Sequence, residues 1–223
     1  MSKTSENNFQ DIPALRVSQW LPEWDKVEWD TKQLRSEPLH FFYQFSIPAH
    51  ILKSLSGVYP RTTNRQRGTK DTGIQRWHDE KRSEEIARFV RYGYPWSDLS
   101  AAKRKEGEYK DLRKPGWLPT SIVVNILKND DIREGKKVDS EDLIYVKDPG
   151  EGICTIQLPK GVNKTGWRFK NIPPIEIIDG QHRLYAFESR DLHNYELPVV
   201  AFVGLGLSWQ AYLFYTINHC CPR

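Results

Sequence analysis

Five consecutive residues, Asp179-Gly180-Gln181-His182-Arg183, carry the side chains of this chain best suited to chemistry. They stand where a predicted strand gives way to a predicted helix, and the free N–H groups of a helix start favour phosphate. Gly180 can let a ligand approach the backbone, and Arg183 offers a planar fork for phosphate oxygens. Asp179 can hold Mg²⁺ or activate a water, and His182 can donate to phosphate or transfer a proton. The motif predicts a phosphate site with Asp179 and His182 as catalytic residues and Asp179 as the metal ligand.

The same residues allow a purely structural interpretation. Asp-Gly before a helix is a common pattern, and Asp179 would then only cap the helix. Arg183 would pair with Glu176 or Glu188 instead of a ligand. The residue types alone leave both interpretations open.

The elements that must position the motif alternate between strands and helices. A helix over Asp79–Tyr92 has acids at its start, arginines at its end and an apolar stripe between them. Other predicted helices follow Pro48, span Gln181–Ser189 and begin after Ser208, and the predicted strands are His40–Ile47, Ser121–Leu127, Glu141–Lys147, Ile153–Leu158, Ile175–Ile178 and Leu197–Val203. The expected fold is α/β, a small mixed sheet flanked by helices.

Composition narrows the class of protein. The chain has 223 residues, 38% of them hydrophobic and 28% charged, which is typical of a soluble globular protein. No apolar run is long enough to cross a membrane, and the first residues show no secretory signal. Three cysteines without C-x-x-C spacing favour neither a disulfide framework nor a zinc site. We expect a cytoplasmic protein with no membrane partner.

The net charge of +4 is unevenly distributed. The segment Arg61–Lys114 holds 15 basic and 9 acidic residues, whereas the rest of the chain has a net charge of −2. Such a segment can contact nucleic acid or a polyphosphate, or it can be an ordinary solvated surface of mixed charge. Its loop carries four basic residues before its first acid and is predicted to bind DNA through Arg61, Arg65, Arg67 and Lys70.

The stretch IIDGQHRLYAF around the motif reproduces the name-giving sequence of the DGQHR-domain family. That family includes DndB-like regulators of DNA phosphorothioation and resembles a branch of the ParB/sulfiredoxin fold, whose corresponding loop wraps nucleotide phosphates. The resemblance implies that Gly180, Gln181, His182 and Arg183 bind nucleotide phosphates. Gln181 replaces the cysteine of sulfiredoxin, so reduction of a sulfinic acid by that route is excluded.

Three further stretches resemble parts of the same superfamily. Gln75 and Arg76 lead into the helix over 79–92 as in the first box of ParB, and the turn 116–124 resembles the ParB turn beside the nucleotide base. The resemblance adds Gln75, Arg76, Pro119 and Thr120 to the expected nucleotide contacts. Leu213–Asn218 resembles an F-x-x-I-N segment downstream of DGQHR. The expected organisation is an arm over 1–39, a domain over 40–218 with an insertion at 94–116, and a truncated tail over 219–223.

The resemblance implies a nucleotide-binding protein that acts with DNA, as an NTPase component or a regulator of a DNA-modification or phage-defence locus. A nucleoside triphosphate and Mg²⁺ are the implied cofactors. Two alternatives stay open. One is a non-catalytic DndB-like transcriptional repressor, and the other is a small-molecule kinase of the same fold, since a serine kinase has a similar D-G-H-H-R loop.

Overall fold

The computed structural model describes residues 11–31, 36–57, 79–107 and 109–219, and one mixed sheet runs through them. Its eight strands in this part of the chain are β1 (Asp11–Ser18), β2 (Phe41–Pro48), β3 (Ser56–Gly57), β4 (Ile122–Ile126), β5 (Tyr145–Lys147), β6 (Ile153–Gln157), β7 (Ile175–Asp179) and β8 (Glu196–Val203). Their order is β3-β7-β4-β8-β2-β1-β6-β5. The predicted α/β class and mixed sheet are confirmed, although the sheet is larger than the small one expected.

The strands that carry the site lie in the most buried part of the sheet. β4 pairs in parallel with β8 and antiparallel with β7, so the end of β7 lies beside the start of β4. Both strands are mostly apolar and buried, and Ile122, Val124 and Ile175 lie in a single core. The prediction of a doubly buried strand over 121–127 is therefore confirmed.

The strand β1 lies within the stretch that the sequence suggested was an arm. It pairs antiparallel with both β2 and β6, so Asp11–Ser18 is an internal strand of the sheet. Ile12 and Ala14 point into the core with the period of two that a half-buried strand requires. Pro13 lies within this strand, opposite Thr155, although proline lacks the N–H that a ladder uses.

Five helices are present in the described part of the chain: α1 (Ala49–Leu55), α2 (Glu80–Tyr92), α3 (Ala101–Glu106), α4 (Gln181–Tyr185) and α5 (Leu207–His219). The helix predicted over 79–92 is confirmed as α2. The Asp79 carboxylate caps its start by accepting from the backbone N–H of Arg82. None of the helices in the described ranges is long and apolar enough to cross a membrane.

The helix predicted over Gln181–Ser189 is shorter than expected. It ends at Tyr185, and the N–H of Phe187 then donates to the Leu184 carbonyl three residues back. This tighter turn brings Phe187 into the core, where its ring stacks on Tyr195 at 4.9 Å. The residues predicted as the later turns of the helix therefore lie outside α4, with Phe187 packed in the core.

The insertion at 94–116 leaves the domain and returns to it at one point. Tyr94 and Lys114 exchange two backbone hydrogen bonds of 3.0 and 2.7 Å, which close its base. The short helix α3 inside it was not predicted, and Ser100 caps it by accepting from the N–H of Lys103. The sequence did not predict α3 because its residues are mostly charged and give no apolar face at helical spacing.

Candidate functional site

A cleft of about 670 Å³ is present where β7 ends and β4 begins, a volume within the usual range of small-molecule sites. Four parts of the chain meet there: α2, the start of β4, the DGQHR loop and the end of α5. The described residues that line it are Arg82, Ile86, Leu118, Thr120, Ser121, Val123, Asp179, Gly180, Gln181, His182, Arg183, Phe214, Ile217 and Asn218. All five residues of the sequence motif therefore line one cleft.

The sharp turn from β7 into α4 depends on Gly180. Its φ of +95° lies in the left-handed region, and it is the N-cap residue of α4. A Cβ at this position would lie 2.7 Å from Cδ1 of Ile122 and 3.1 Å from the Arg183 guanidinium. Sequence analysis assigned this glycine to the approach of a ligand. In the structure the close neighbours are Ile122 and Arg183, so glycine is required by the protein's own packing.

A β-bulge precedes this turn. Val123 pairs with Asp179 and Val124 pairs with Ile177, so β7 carries one extra residue, Ile178, within the ladder. Bulges bend a strand and redirect the side chains that follow them. The bulge therefore contributes to placing Asp179 at the cleft and not in the core, where its strand neighbours are buried.

The guanidinium of Arg183 is anchored at the cleft by two hydrogen bonds to described residues. Nη1 donates to the Thr120 carbonyl at 2.9 Å, and Nη2 donates to Oδ2 of Asp179 at 2.7 Å. These bonds use two of the five N–H donors that a guanidinium carries. Burial lowers the pKa of Arg183, Asp179 opposes this shift, and nearby Arg82 adds to it. Arg82 and Arg183 therefore both line the cleft, and the positive charge of Arg82 disfavours that of Arg183.

The structural alternative for this motif is partly correct and partly wrong. Asp179 makes no side-chain cap for α4, because the cap position belongs to Gly180. Arg183 does form an internal ion pair, but with Asp179 and with neither glutamate proposed for it. Glu176 instead pairs with Arg133, and Glu188 pairs with Lys53.

His182 joins the motif to α2. The backbone N–H of Asp79 donates to Nε2 of His182 at 3.1 Å, and the Ser83 hydroxyl donates to the His182 carbonyl at 3.0 Å. Because Nε2 accepts here, a neutral His182 ring carries its proton on Nδ1. In this arrangement Nε2 is not a donor for a phosphate, and the ring holds the start of α2 against the loop.

The remaining expected contacts divide into two groups. Gln181 is 8% exposed and lines the cleft, as does Thr120, whereas Pro119 lies between two lining residues without lining it. Gln75, Arg76 and the DNA-binding candidates Arg61, Arg65, Arg67 and Lys70 lie outside the described residues.

The predicted contacts left out three polar residues that line the cleft, Arg82, Ser121 and Asn218. Arg82 was considered only as part of the helix over 79–92. It is the third residue of α2, and it lines the cleft. Asn218, together with Phe214 and Ile217, lines the cleft from α5. The F-x-x-I-N resemblance was the available signal for these three α5 residues.

A buried polar network holds α5 in place beside the cleft. The Glu176 carboxylate accepts from Arg133 at 2.7 and 2.9 Å, from Asn125 at 2.9 Å and from Gln210 at 2.6 Å. Asn125, Arg133 and Gln210 also donate to the Leu205 carbonyl. The network joins β4, β7 and α5, so the position of the α5 wall is fixed from inside the protein.

A metal ion has few protein ligands available here. No group of three or more His, Cys, Asp or Glu that could hold a metal is present in the part of the chain that is described. Asp179 is the one carboxylate among the described lining residues. Mg²⁺ at nucleotide sites is commonly held by one or two carboxylates together with substrate phosphates, so Asp179 fits that role only alongside a bound polyphosphate.

Searches of protein-family models, of curated proteins and of solved structures found no match to this chain. The relationship to the DGQHR-domain family stays a prediction from the motifs in the sequence.

Proposed function

We propose that this cleft binds the phosphate groups of a nucleotide between Arg82 and Arg183. The observation that carries the proposal is the charge of the described lining residues, two arginines against the single carboxylate of Asp179. Like charges held close together in a partly buried cleft are unfavourable until an anion lies between them. A phosphate would relieve this repulsion and use the guanidinium donors that Asp179 and Thr120 leave over.

The rest of the cleft is suited to the base and sugar of the nucleotide. Leu118, Phe214 and Ile217 supply apolar surface, and Gln181 and Asn218 supply amides that can accept and donate. In the proposal the phosphates lie toward the arginines and the base lies toward α5. The residue types do not choose among the four bases.

The proposal extends to the family and its biology. The chain would be a cytoplasmic DGQHR-domain protein of ParB/sulfiredoxin-like fold that works with DNA, as an NTPase component or a regulator of DNA modification or phage defence. The support is the motif itself and its position at the end of the inner strand β7, beside a cleft lined by two arginines. A DndB-like repressor would bind the same anion without hydrolysing it.

The proposal includes Mg²⁺ only as an ion that binds together with the nucleotide. It would be held by Asp179 and by the nucleotide phosphates, and it would neutralise negative charge as the phosphate bond breaks. Oδ2 of Asp179 accepts from Arg183, so Oδ1 is the oxygen that would face the ion. The chain's own contribution is to hold Arg183 through the Thr120 carbonyl and Asp179 beside the phosphates.

The sharpest test uses Arg82, because its side chain is exposed and substitution leaves the core untouched. Arg82→Gln should weaken binding of the best ligand among ATP, GTP, CTP and UTP by about tenfold, the scale of one charged hydrogen bond. Isothermal titration calorimetry with Mg²⁺ measures this. Arg88→Gln is the matched control, since Arg88 is exposed on the same helix and does not line the cleft.

Equal affinity in wild type and Arg82→Gln would refute the phosphate site. Absence of any nucleotide binding by the wild type would refute the proposed function altogether. Binding without release of phosphate would keep the site and favour the repressor. Transfer of phosphate to an amino acid or another small molecule would favour the kinase.

A further inference from the structure

A second cavity lies on the side of α5 where that helix begins. It has a volume of about 350 Å³ and is lined mainly by aromatic side chains from the segment 19–29, the start of β2, the end of β8 and α5. Four of them are the tryptophans Trp20, Trp24, Trp29 and Trp209. Neither the nucleotide proposal nor the family resemblance gives this aromatic pocket a role.

The tryptophan rings are turned in different directions. The rings of Trp20 and Trp24 are 5.2 Å apart and nearly perpendicular at 88°, and those of Trp29 and Trp209 are 5.9 Å apart at 52°. A flat ligand such as a nucleobase is best enclosed by two parallel walls with a gap between them. The ring that lies parallel to Trp20 is His40, and the two are already in contact at 3.8 Å. The arrangement favours a compact, rounded ligand over a planar one.

The charges beside the pocket are negative. The indole N–H of Trp20 donates to the Asp25 carboxylate at 2.7 Å, and His40, which stacks on Trp20, is bonded to Glu37 at 3.0 Å. The segment Trp20–His40 holds five acidic and three basic residues. A carboxylate that accepts from an indole N–H increases the electron density of the ring, which strengthens its attraction for a cation. An anionic ligand would be repelled.

We infer that the aromatic pocket binds a methylated ammonium group. A quaternary or trimethylated nitrogen is compact, positively charged and weakly hydrated, so it can contact several ring faces at once. The indole N–H groups of Trp20 and Trp209 are already bonded, to Asp25 and to the Ser36 carbonyl, so the rings are fixed before the ligand arrives. The site is separate from the cleft and does not depend on the proposed nucleotide function.

The test compares choline with 3,3-dimethyl-1-butanol, which has the same shape but no charge. Titration followed by proton NMR should show the choline methyl signal moving upfield, because aromatic ring currents shield protons held over ring faces. We expect choline to bind at least about tenfold more tightly than the neutral alcohol. Equal affinity for the two would reduce the pocket to a hydrophobic patch and overturn the inference.

Two variants test the rings and the charge separately. Trp24→Leu, at a ring that is 42% exposed, should weaken choline binding by at least about fivefold, the factor that one cation–ring contact represents. Asp25→Asn keeps an acceptor for the Trp20 N–H and removes the charge, so it should weaken choline binding about threefold and leave the alcohol unaffected. Unchanged choline affinity in both variants would contradict the inference.

A third comparison identifies the source of the methylated group. A peptide with a trimethyllysine that binds more tightly than choline, while the unmodified lysine peptide does not bind, assigns the pocket to a modified protein. Tighter binding of choline assigns it to a small molecule. Both results support the methylated ammonium, and binding of the unmodified lysine peptide with equal affinity would overturn it.

Discussion

Two arginine–carboxylate pairs have their carboxylates on β7, three residues apart. They differ in burial and in the number of hydrogen bonds that the carboxylate accepts. Glu176 and Arg133 have side chains 2% and 10% exposed, whereas Asp179 and Arg183 are 20% and 19% exposed. Within the described part of the chain, Glu176 accepts four side-chain hydrogen bonds from three residues, and Asp179 accepts one side-chain bond, from Arg183. The first pair is saturated by protein partners and the second is not.

The difference separates a structural pair from a candidate functional one. A buried carboxylate must be fully bonded because an unsatisfied buried charge is very costly, and a fully bonded group has no capacity left for a ligand. Among the described residues, Asp179 and Thr120 take two of the five donors of Arg183, which lines a cleft shared with another arginine. Spare bonding capacity beside an open cavity is what ligand binding requires.

The largest expected effect comes from breaking the saturated pair. Glu176→Gln keeps the shape of the side chain but leaves Arg133 buried without a counter-ion, so the free energy of unfolding should fall by about 3–5 kcal/mol. Urea denaturation followed by circular dichroism measures the loss.

The matched control is Glu188→Gln at the exposed pair with Lys53, where the loss should stay below about 1 kcal/mol. If the two variants lost the same stability, the distinction between a saturated and an exposed pair would not hold.

The turn that presents the second pair gives the next effect. Gly180→Ala adds a Cβ at φ +95° that meets Ile122 and the Arg183 guanidinium, whereas Gly166→Ala adds one at φ +84° with nothing within 4 Å. Both variants carry the cost of a left-handed alanine, about 1–2 kcal/mol. Gly180→Ala should lose at least about 1 kcal/mol more, because of overpacking.

Ligand binding distinguishes the same two variants. Displacement of Arg183 in Gly180→Ala should weaken nucleotide binding, and Gly166→Ala should leave it unchanged, as measured by calorimetry. Equal stability and equal affinity in both would mean that the turn adapts to the added methyl group without moving Arg183.

The sequence predicted the structure well where a residue type has one strong local preference, as a helix cap or as an apolar strand residue. Apolar runs predicted β4 and β7, and Asp79 with Gly93 set the ends of α2. It failed where a partner distant in the chain decides: Glu176 pairs with Arg133, 43 positions away, and the route of the chain after β4 brings the two together. Arg183 pairs with Asp179, four positions before it, a partner that the spacing allowed but that was not the one expected.

The same reason explains Arg82 and β1. Arg82 joins the cleft only because Asp79 and Ser83 bond to His182, which is 99 or more positions away. β1 exists because β2 and β6 provide partners on both sides, despite Pro13. Long-range pairing overrides local preference at such positions.

Within the two compared pairs, Asp179→Asn should have the smaller effect on stability, and it decides whether the second pair is functional. The amide oxygen of Asn can still accept from Arg183, so the free energy of unfolding should change by about 1 kcal/mol or less. Loss of the negative charge should strengthen binding of inorganic pyrophosphate by a few fold, because Arg183 is then less well neutralised. Release of phosphate from a nucleoside triphosphate should fall, since Asp179 is the proposed ligand of Mg²⁺. Denaturation, calorimetry and a phosphate-release assay measure the three quantities on the same preparation.

A loss of stability as large as that of Glu176→Gln would make Asp179 a second structural residue and remove the contrast between the two pairs. If the wild type released no phosphate, hydrolysis would be excluded while the Arg82→Gln measurement still decided the anion site.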